Sequence, residues 1–141
     1  MDETEELLKR LNNSRDLESL SNYLDNIEDV VPHSISDYLK IILKDKKMTP
    51  SDVIKRSRIE RTYCYQILNG RKKPGRDKLI AIALALSLDL NETQRLLETA
   101  KESVLYAKSK RDSVLIYALN NKMSVLDTNF LLNQYKEAEL K

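Results

Sequence analysis

The residues with the clearest chemical potential are basic and lie close together in the middle of the chain. Residues 53–78 carry a net charge of +7, because only Glu60 and Asp77 oppose nine cations: Lys55, Arg56, Arg58, Arg61, Arg71, Lys72, Lys73, Arg76 and Lys78. A cluster of this density is typical of a site for a polyanion such as nucleic acid. The alternative is a solvated helical face, the structure that runs of charge usually form.

The beginning of the chain has the opposite charge. Residues 1–30 hold nine acids against Lys9, Arg10 and Arg15, a balance of −6. Their apolar spacing predicts two short amphipathic helices, at residues 4–11 and 17–27, before a boundary at Pro32. We expect residues 1–33 to be a packing and solubilising extension, a docking site for a partner protein, or a segment that competes with DNA for the basic residues.

Residue types for catalysis and metal binding are scarce. Cys64 is the one cysteine and His33 the one histidine, so an intrachain disulfide and a cysteine-based zinc site are excluded. A Cys–His nucleophilic pair would also need a third, orienting group. Cys64 is most simply a core residue. The sequence predicts a non-enzymatic protein without cofactor or metal.

Location follows from the same composition. The longest mostly apolar run, residues 79–88, is about half the length that spans a bilayer. The acidic start does not resemble a signal peptide, and a single cysteine suits a reducing compartment. We therefore expect a cytoplasmic protein without a membrane partner.

The elements that position the basic residues are predicted to be helices. With 2 glycines and 3 prolines in 141 residues, the composition favours an all-α fold. Ser36 is the expected cap of a first helix, and Thr49 with Asp52 caps a second that ends near Ser57. A tight turn leads to a third at residues 61–68, which Asn69-Gly70 stops.

Further helices are expected downstream. Residues 77–88 are apolar nearly all round, which indicates a central, buried helix. Asn91 with Gln94 is the expected start of the next, and Ser109 and Ser124 precede a final pair at 110–120 and 125 to about 138. The apolar positions of the last helix are Leu126, Phe130, Leu131 and Tyr135. No tandem repeat is apparent.

The run MTPSDVIKRSRIERTYCYQILNGRKKPGRDKLIAIALALSLDLNETQRLL resembles the phage-repressor-like (Cro-like, xenobiotic-response-element type) helix-turn-helix family. The resemblance covers roughly residues 36–101 and rests on linked positions: Thr49, Val53, Ile54, Ile59, Ile67, Asn69, Gly70, Lys73, Pro74 and Leu79. It implies a five-helix DNA-binding domain at residues 34–105. The extra N-terminal helices would precede it, and a C-terminal helical hairpin at 106–141 would follow.

In that family the third helix reads the major groove of DNA. With Cys64, Ile67 and Leu68 facing inward, the side chains left to contact base edges are Arg61, Thr62, Tyr65 and Gln66. Arg61 has the geometry for a bidentate contact to guanine, Thr62 for a thymine methyl and Gln66 for adenine.

The resemblance also implies contacts to phosphate. The start of the second helix and the loop after the third would lie against the DNA backbone, through Thr49, Ser51, Asn69, Arg71, Lys72 and Lys73. Such contacts position the third helix and carry no sequence information themselves.

The sequence departs from the family pattern at three positions. Arg58 stands where the turn usually has glycine, and a left-handed arginine would cost about 1 kcal/mol. Tyr63 and Tyr65 replace small polar residues and would change how closely the helix approaches the groove. The two tyrosines, together with the extra helices at both ends of the chain, favour an alternative function, a helix-turn-helix scaffold that acts as a protein-interaction adaptor with weak or no DNA binding.

The expected function is therefore that of a sequence-specific DNA-binding transcriptional regulator that reads the major groove with helix 61–68. Two copies one helical turn apart would raise its selectivity. The C-terminal hairpin is expected either to form a homodimer or to pack on the core of its own chain.

Overall fold

Seven α-helices and no strand make up residues 34–141, the part of the chain that the computed structural model describes. These residues form one compact unit. The helices are α1 Ile35–Lys46, α2 Pro50–Ser57, α3 Arg61–Leu68, α4 Arg76–Ala85, α5 Leu90–Thr99, α6 Lys110–Asn120 and α7 Val125–Gln134. The all-α class is thereby confirmed. The helices predicted at 4–27, and the whole extension 1–33, lie outside the described residues.

The start of α1 differs from the prediction. Ser34, and not Ser36, is the N-cap, since its hydroxyl accepts a hydrogen bond from the amide of Asp37. Ser36 is the second residue of the helix and is buried, and its hydroxyl donates to the carbonyl of Leu68 at 2.7 Å. The sequence offers two serines two residues apart, and the long-range bond to α3 assigns the second to packing.

The start of α5 also lies earlier than predicted. Asp89 caps it by accepting from the amide of Glu92, while the Glu92 carboxylate accepts from the amide of Asp89. The expected cap at Asn91 is wrong because Asn91 is already helical and exposed. Two carboxylates near the helix amino end also suit its dipole.

The core is centred on α4, as its apolar sequence predicts. All residues from Leu79 to Leu86 are buried, and α4 packs against α2, α5, α6 and α7. Cys64 is fully buried beside this core. Burial raises the pKa of its thiol, although a hydrogen bond with Ser57 opposes the change. The thiol is therefore protonated near neutral pH and serves as a core side chain.

The helices after residue 105 share this core. Leu115, Leu119 and Leu132 have no more than 1% of their surface exposed. The predicted apolar face of the last helix is wrong, however: its buried residues are Val125, Thr128 and Leu132, and the exposed ones include Leu126, Phe130 and Tyr135. Two apolar patterns overlap on this helix, and the sequence alone does not decide which of them faces the core.

Two reciprocal ion pairs join α4 to α6. Arg76 donates to both carboxylate oxygens of Asp112, at 3.1 and 2.8 Å. Arg111 donates to both oxygens of Asp77, at 3.1 and 2.9 Å. Each Arg-Asp dipeptide thus holds the other in bidentate pairs, the strongest ion-pair geometry that arginine offers.

The two Arg-Asp dipeptides are the first residues of an internal repeat that was not predicted from the sequence. Residues 76–106 and 111–141 align 35 positions apart, with ten identical residues: Arg76/Arg111, Asp77/Asp112, Ala83/Ala118, Leu84/Leu119, Thr93/Thr128, Leu96/Leu131, Leu97/Leu132, Lys101/Lys136, Glu102/Glu137 and Leu105/Leu140. The helices α5 and α7 start at equivalent positions and have equal length. The expectation of no tandem repeat is therefore wrong.

The hydrogen bonds of the two halves match as well. The Leu105 amide donates to the side chain of Gln94, and the Leu140 amide donates to the equivalent Asn129. Arg76 Nε donates to the carbonyl of Ser103, and Arg111 Nε to that of Ala138. Across the pair, α4 packs on α7 and α5 on α6. Residues 76–141 are thus two copies of one helix-pair unit that contact each other reciprocally.

Two further kinds of feature are absent from residues 34–141. None of their helices has the length and apolar character needed to cross a membrane. Within the same residues, no three His, Cys, Asp or Glu side chains are grouped in a way that would hold a metal ion.

Candidate nucleic-acid interface

Two short helices and a tight turn form the candidate site. A reciprocal capping box at Thr49 and Asp52 starts α2, with Pro50 in the first helical position. The helix ends at Ser57, and Arg58, its C-cap, takes the left-handed conformation with φ 62° and ψ 19°. Ile59 then inserts into the core, and its amide donates to the buried Ser57 hydroxyl. The turn therefore keeps the shape that glycine favours, and Arg58 bears the strain.

The cap of α3 is a carboxylate, Glu60, which was not predicted from the sequence to have this role. The two oxygens of Glu60 accept hydrogen bonds from the amides of Thr62 and Tyr63, at 2.9 and 2.8 Å. These bonds lower the pKa of Glu60, so it is ionised at neutral pH. Two of the first three amides of α3 are thus engaged by a carboxylate, which makes the leading end of the helix a poor site for phosphate.

The outward face of α3 is polar. Cys64, Ile67 and Leu68 are buried against the core, as predicted. Thr62 and Asn69 are exposed and Gln66 is half-buried. These three side chains lie four and three residues apart and therefore share one helical face. A strip of hydroxyl and amide groups is the chemistry that hydrogen-bonds to base edges.

A tyrosine flanks this strip on each side, and each is paired with a cation. The Arg61 guanidinium lies 5.4 Å from the ring centre of Tyr65, and the Lys78 ammonium lies 6.0 Å from that of Tyr63. Both rings are half-buried. Tyr65 therefore acts as a support that directs Arg61, while Tyr63 joins α3 to the start of α4.

The basic loop after α3 is fixed to the helix end. The amides of Arg71 and Lys72 both donate to the carbonyl of Gln66, at 2.9 and 3.1 Å. Gly70 has φ +79°, and an added Cβ would meet the Cβ of Ser36 at 3.4 Å. Since Ser36 also binds the carbonyl of Leu68, α1 braces the point where α3 becomes the loop. The backbone that carries the exposed side chains of residues 71–73 is therefore held in a fixed position next to the strip.

The nine cations of residues 53–78 differ in their partners and in where they lie. Arg76 is bound to Asp112, whereas none of the other eight has a carboxylate within 4 Å among residues 34–141. Lys55, Arg56 and Arg58 line a cleft of about 460 Å³ together with Lys122 and the start of α7. Lys72 and Lys73 instead line a cleft with α1 and the end of α5. The +7 segment is thus not one continuous face.

The structure places eight of the ten predicted site residues on α3 and the loop after it, and the other two at the start of α2. The predicted base-contacting residues Arg61, Thr62, Tyr65 and Gln66 all lie on α3, and Asn69 to Lys73 follow directly. Thr49 and Ser51 are exposed at the start of α2, but the Thr49 hydroxyl is engaged in its cap. Hydrogen bonds from Thr49 lower the pKa of Asp52, so a negative charge accompanies this position.

Sequence reasoning missed Glu60, Lys78 and Ser36 as parts of the site. Glutamate is not among the usual N-cap residues, so Glu60 had no strong signal. The contacts of Lys78 with Tyr63 and of Ser36 with Leu68 join distant parts of the chain and have no local pattern.

No protein-family model matches the chain, and neither a curated protein nor a solved structure is detectably similar to it.

Proposed function

We propose that this chain is a sequence-specific DNA-binding transcriptional regulator of the repressor-like helix-turn-helix type, with α3 as the helix that enters the major groove. The proposal rests chiefly on one observation, the strip formed by Thr62, Gln66 and Asn69, which lies between the free cation of Arg61 and those of Arg71 to Lys73. It assigns base contacts to α3 and phosphate contacts to the loop that follows.

Each end of the strip has a defined part. The Arg61 side chain is held over Tyr65 near the start of α3, and a guanine contact there would give about 1–3 kcal/mol of base discrimination. The loop cations bind phosphate as side chains, since their own amides are engaged with Gln66. The role needs no catalytic group, and we propose a non-enzymatic protein.

The test is fluorescence anisotropy with a labelled pool of mixed duplexes at low and at physiological salt. A triple variant, Arg61→Ala with Arg71→Ala and Lys72→Ala, should lose binding. The matched control, Lys44→Ala with Arg95→Ala and Lys108→Ala, removes three exposed charges elsewhere and should retain it. An equal loss of duplex affinity in both variants would show that binding depends on net charge alone and not on α3 and its loop. Absence of binding by the folded wild type would reject the proposal.

A second function is favoured by two features of α3. The ionised Glu60 at the leading end of α3 repels phosphate, and the bulky side chains of Tyr63 and Tyr65 widen the helix on both sides of the strip. Both features suit a protein surface better than a DNA groove. A protein-interaction adaptor built on the same helices would show no duplex binding at low salt, which is the outcome that separates it from the regulator.

We also propose that two copies act together through residues 106–141. A single short helix contacts few base pairs, and a symmetric pair extends the site by one helical turn.

A further inference from the structure

The two helix-pair copies within residues 76–141 differ in what covers them. In the first copy, α2 packs along α4 and α1 packs on α5. Ile82, Leu96 and Ala100 are consequently no more than 2% exposed. The cover comes from the helices that precede the copy in the chain. The second copy has no corresponding helices among residues 34–141.

The equivalent positions of the second copy form an open apolar groove. Tyr117, Leu131 and Tyr135 stand where the first copy has Ile82, Leu96 and Ala100. With Lys110, Ser113 and Val114 they line a groove of about 480 Å³ between α6 and the end of α7. Tyr117 and Tyr135 are exposed by 57% and 49%.

Other uncovered positions of the second copy have become polar. Ala85 and Leu86 are buried in the first copy, and their equivalents are the exposed Asn120 and Asn121. A surface that simply faces water would be expected to change in this way throughout. The groove instead keeps its leucine and gains two tyrosines, a residue type enriched in protein interfaces. This contrast favours a groove that packs against another apolar surface.

A matching ridge occurs on the same hairpin. Leu126 and Phe130 lie four residues apart on the outer face of α7 and are exposed by 46% and 66%. Their equivalents in the first copy are the polar residues Asn91 and Arg95. Among the exposed large apolar residues of 34–141, no other two are spaced to form such a helical ridge.

We propose a homodimer in which the groove of each chain receives the Leu126–Phe130 ridge of the other chain. Groove and ridge both belong to the α6–α7 hairpin, so the surface is self-complementary, as a two-fold interface requires. An apolar helical ridge in a groove between helices is an established mode of recognition. Lys110 borders the groove and Asp127 adjoins the ridge, which adds opposite charges to the contact. The inference rests on the pairing of two copies through residues 106–141 proposed above, and it does not depend on DNA binding.

The test is sedimentation equilibrium of the full chain at micromolar concentrations. The wild type should be a dimer, and Phe130→Ser or Tyr117→Ser should weaken self-association by roughly a hundredfold or more, since each change is made twice per dimer. Tyr106→Ser is the matched control: its ring is 58% exposed and does not line the groove. It should leave the dimer unchanged. All three residues are exposed, so helicity and thermal melting should stay as in the wild type.

A mixing experiment tests the seating itself. The Phe130→Ser chain keeps an intact groove, and the Tyr117→Ser chain keeps an intact ridge. A mixed dimer of the two therefore contains one intact groove–ridge contact, whereas each variant alone contains none. The mixed pair should associate more tightly than either variant does alone. A monomeric wild type would overturn the proposal, as would a groove occupied by some other partner, variants that dimerise like the wild type, or a mixture no tighter than its components.

Discussion

At the scale of single residues, Asp112 joins three segments of the chain. Its carboxylate accepts two hydrogen bonds from Arg76 and one from the amide of Tyr106, and the residue is only 6% exposed. Burial by itself raises the pKa of Asp112. The bonds from Arg76 and Tyr106, with the charges of Arg76 and Arg111, outweigh that effect and hold the pKa below its ordinary value.

Asp112→Asn should therefore lower the free energy of unfolding by about 3 kcal/mol at pH 7, because Arg76 is left without its charge partner. A depressed folded-state pKa stabilises the fold above the unfolded value of about 3.9, and this contribution is lost as the pH falls through the folded-state pKa. Urea denaturation should show the difference between wild type and variant shrinking as the pH falls below 4. The control is Asp45→Asn, which changes an exposed carboxylate in α1 and should alter the free energy of unfolding by less than about 0.5 kcal/mol. A difference that is constant with pH would refute this role of the charge.

Glu60 is the residue whose charge most directly opposes the proposed function. Its carboxylate caps α3 next to Arg61, at the end that would approach DNA. Glu60→Gln retains an oxygen acceptor for the cap and removes the negative charge. Duplex affinity at low salt should rise roughly threefold, as expected for one weakly screened charge. Anisotropy titration measures the change, and an affinity that falls while the melting temperature is kept would show that the carboxylate assists binding.

At the scale of elements, the local signals in the sequence were sufficient for α2 and α3. The Thr49–Asp52 box, the inward positions Cys64, Ile67 and Leu68, and the Asn69-Gly70 stop predicted both helices at their observed bounds. Each signal acts within a few residues, so it can be recognised without knowledge of the fold.

Features that depend on distant residues were not predicted. The Arg76–Asp112 pair spans 36 positions, and the Ser36–Leu68 bond spans 32. The sequence of α7 contains two overlapping apolar patterns, and packing against α4 determines which of them is buried. The repeat was concealed because most aligned positions differ, and the shared hydrogen bonds of Arg76 and Arg111 made it evident.

The turn between α2 and α3 supplies an element-scale prediction. Arg58 has φ 62°, which strains an arginine but not a glycine. Arg58→Gly should raise the free energy of unfolding by about 0.5 kcal/mol, after the entropy that glycine loses on folding is deducted. Arg58→Ala removes the same charge and keeps the strain, so it should not stabilise. Equal urea midpoints for the two variants would show that charge, and not backbone strain, controls this position.

At the scale of the whole molecule, one core extends across the proposed DNA-binding helices and the C-terminal hairpin. The first helix-pair copy binds α1 and α2 on one side and the second copy on the other. The reciprocal Arg-Asp pairs lie directly after the basic loop, since Arg76 follows Gly75. The hairpin therefore helps to set the position of the loop relative to α3.

A chain that ends at residue 105 should consequently fail to fold cooperatively. It would lose both ion pairs and would uncover the apolar surface that Leu115, Leu119 and Leu132 cover, and burying each such side chain contributes about 1.5–3 kcal/mol. Circular dichroism during urea denaturation should show a broad, early transition in place of a single sharp one. A sharp transition at the midpoint of the full chain would mean that residues 34–105 are an independent domain.

The salt dependence of duplex binding tests the central claim most directly. The proposed phosphate contacts by Arg71, Lys72 and Lys73 would release counterions, so a plot of log association constant against log salt should have a slope of about −2.7 for each bound chain, or −0.9 for each phosphate contact. The Arg61→Ala, Arg71→Ala, Lys72→Ala variant lacks two of these contacts and should be shallower by about 1.8, and the control that lacks Lys44, Arg95 and Lys108 should match the wild type. A flat plot for the wild type, or one slope shared by all three proteins, would contradict the assignment of α3 and its loop as the DNA-binding surface.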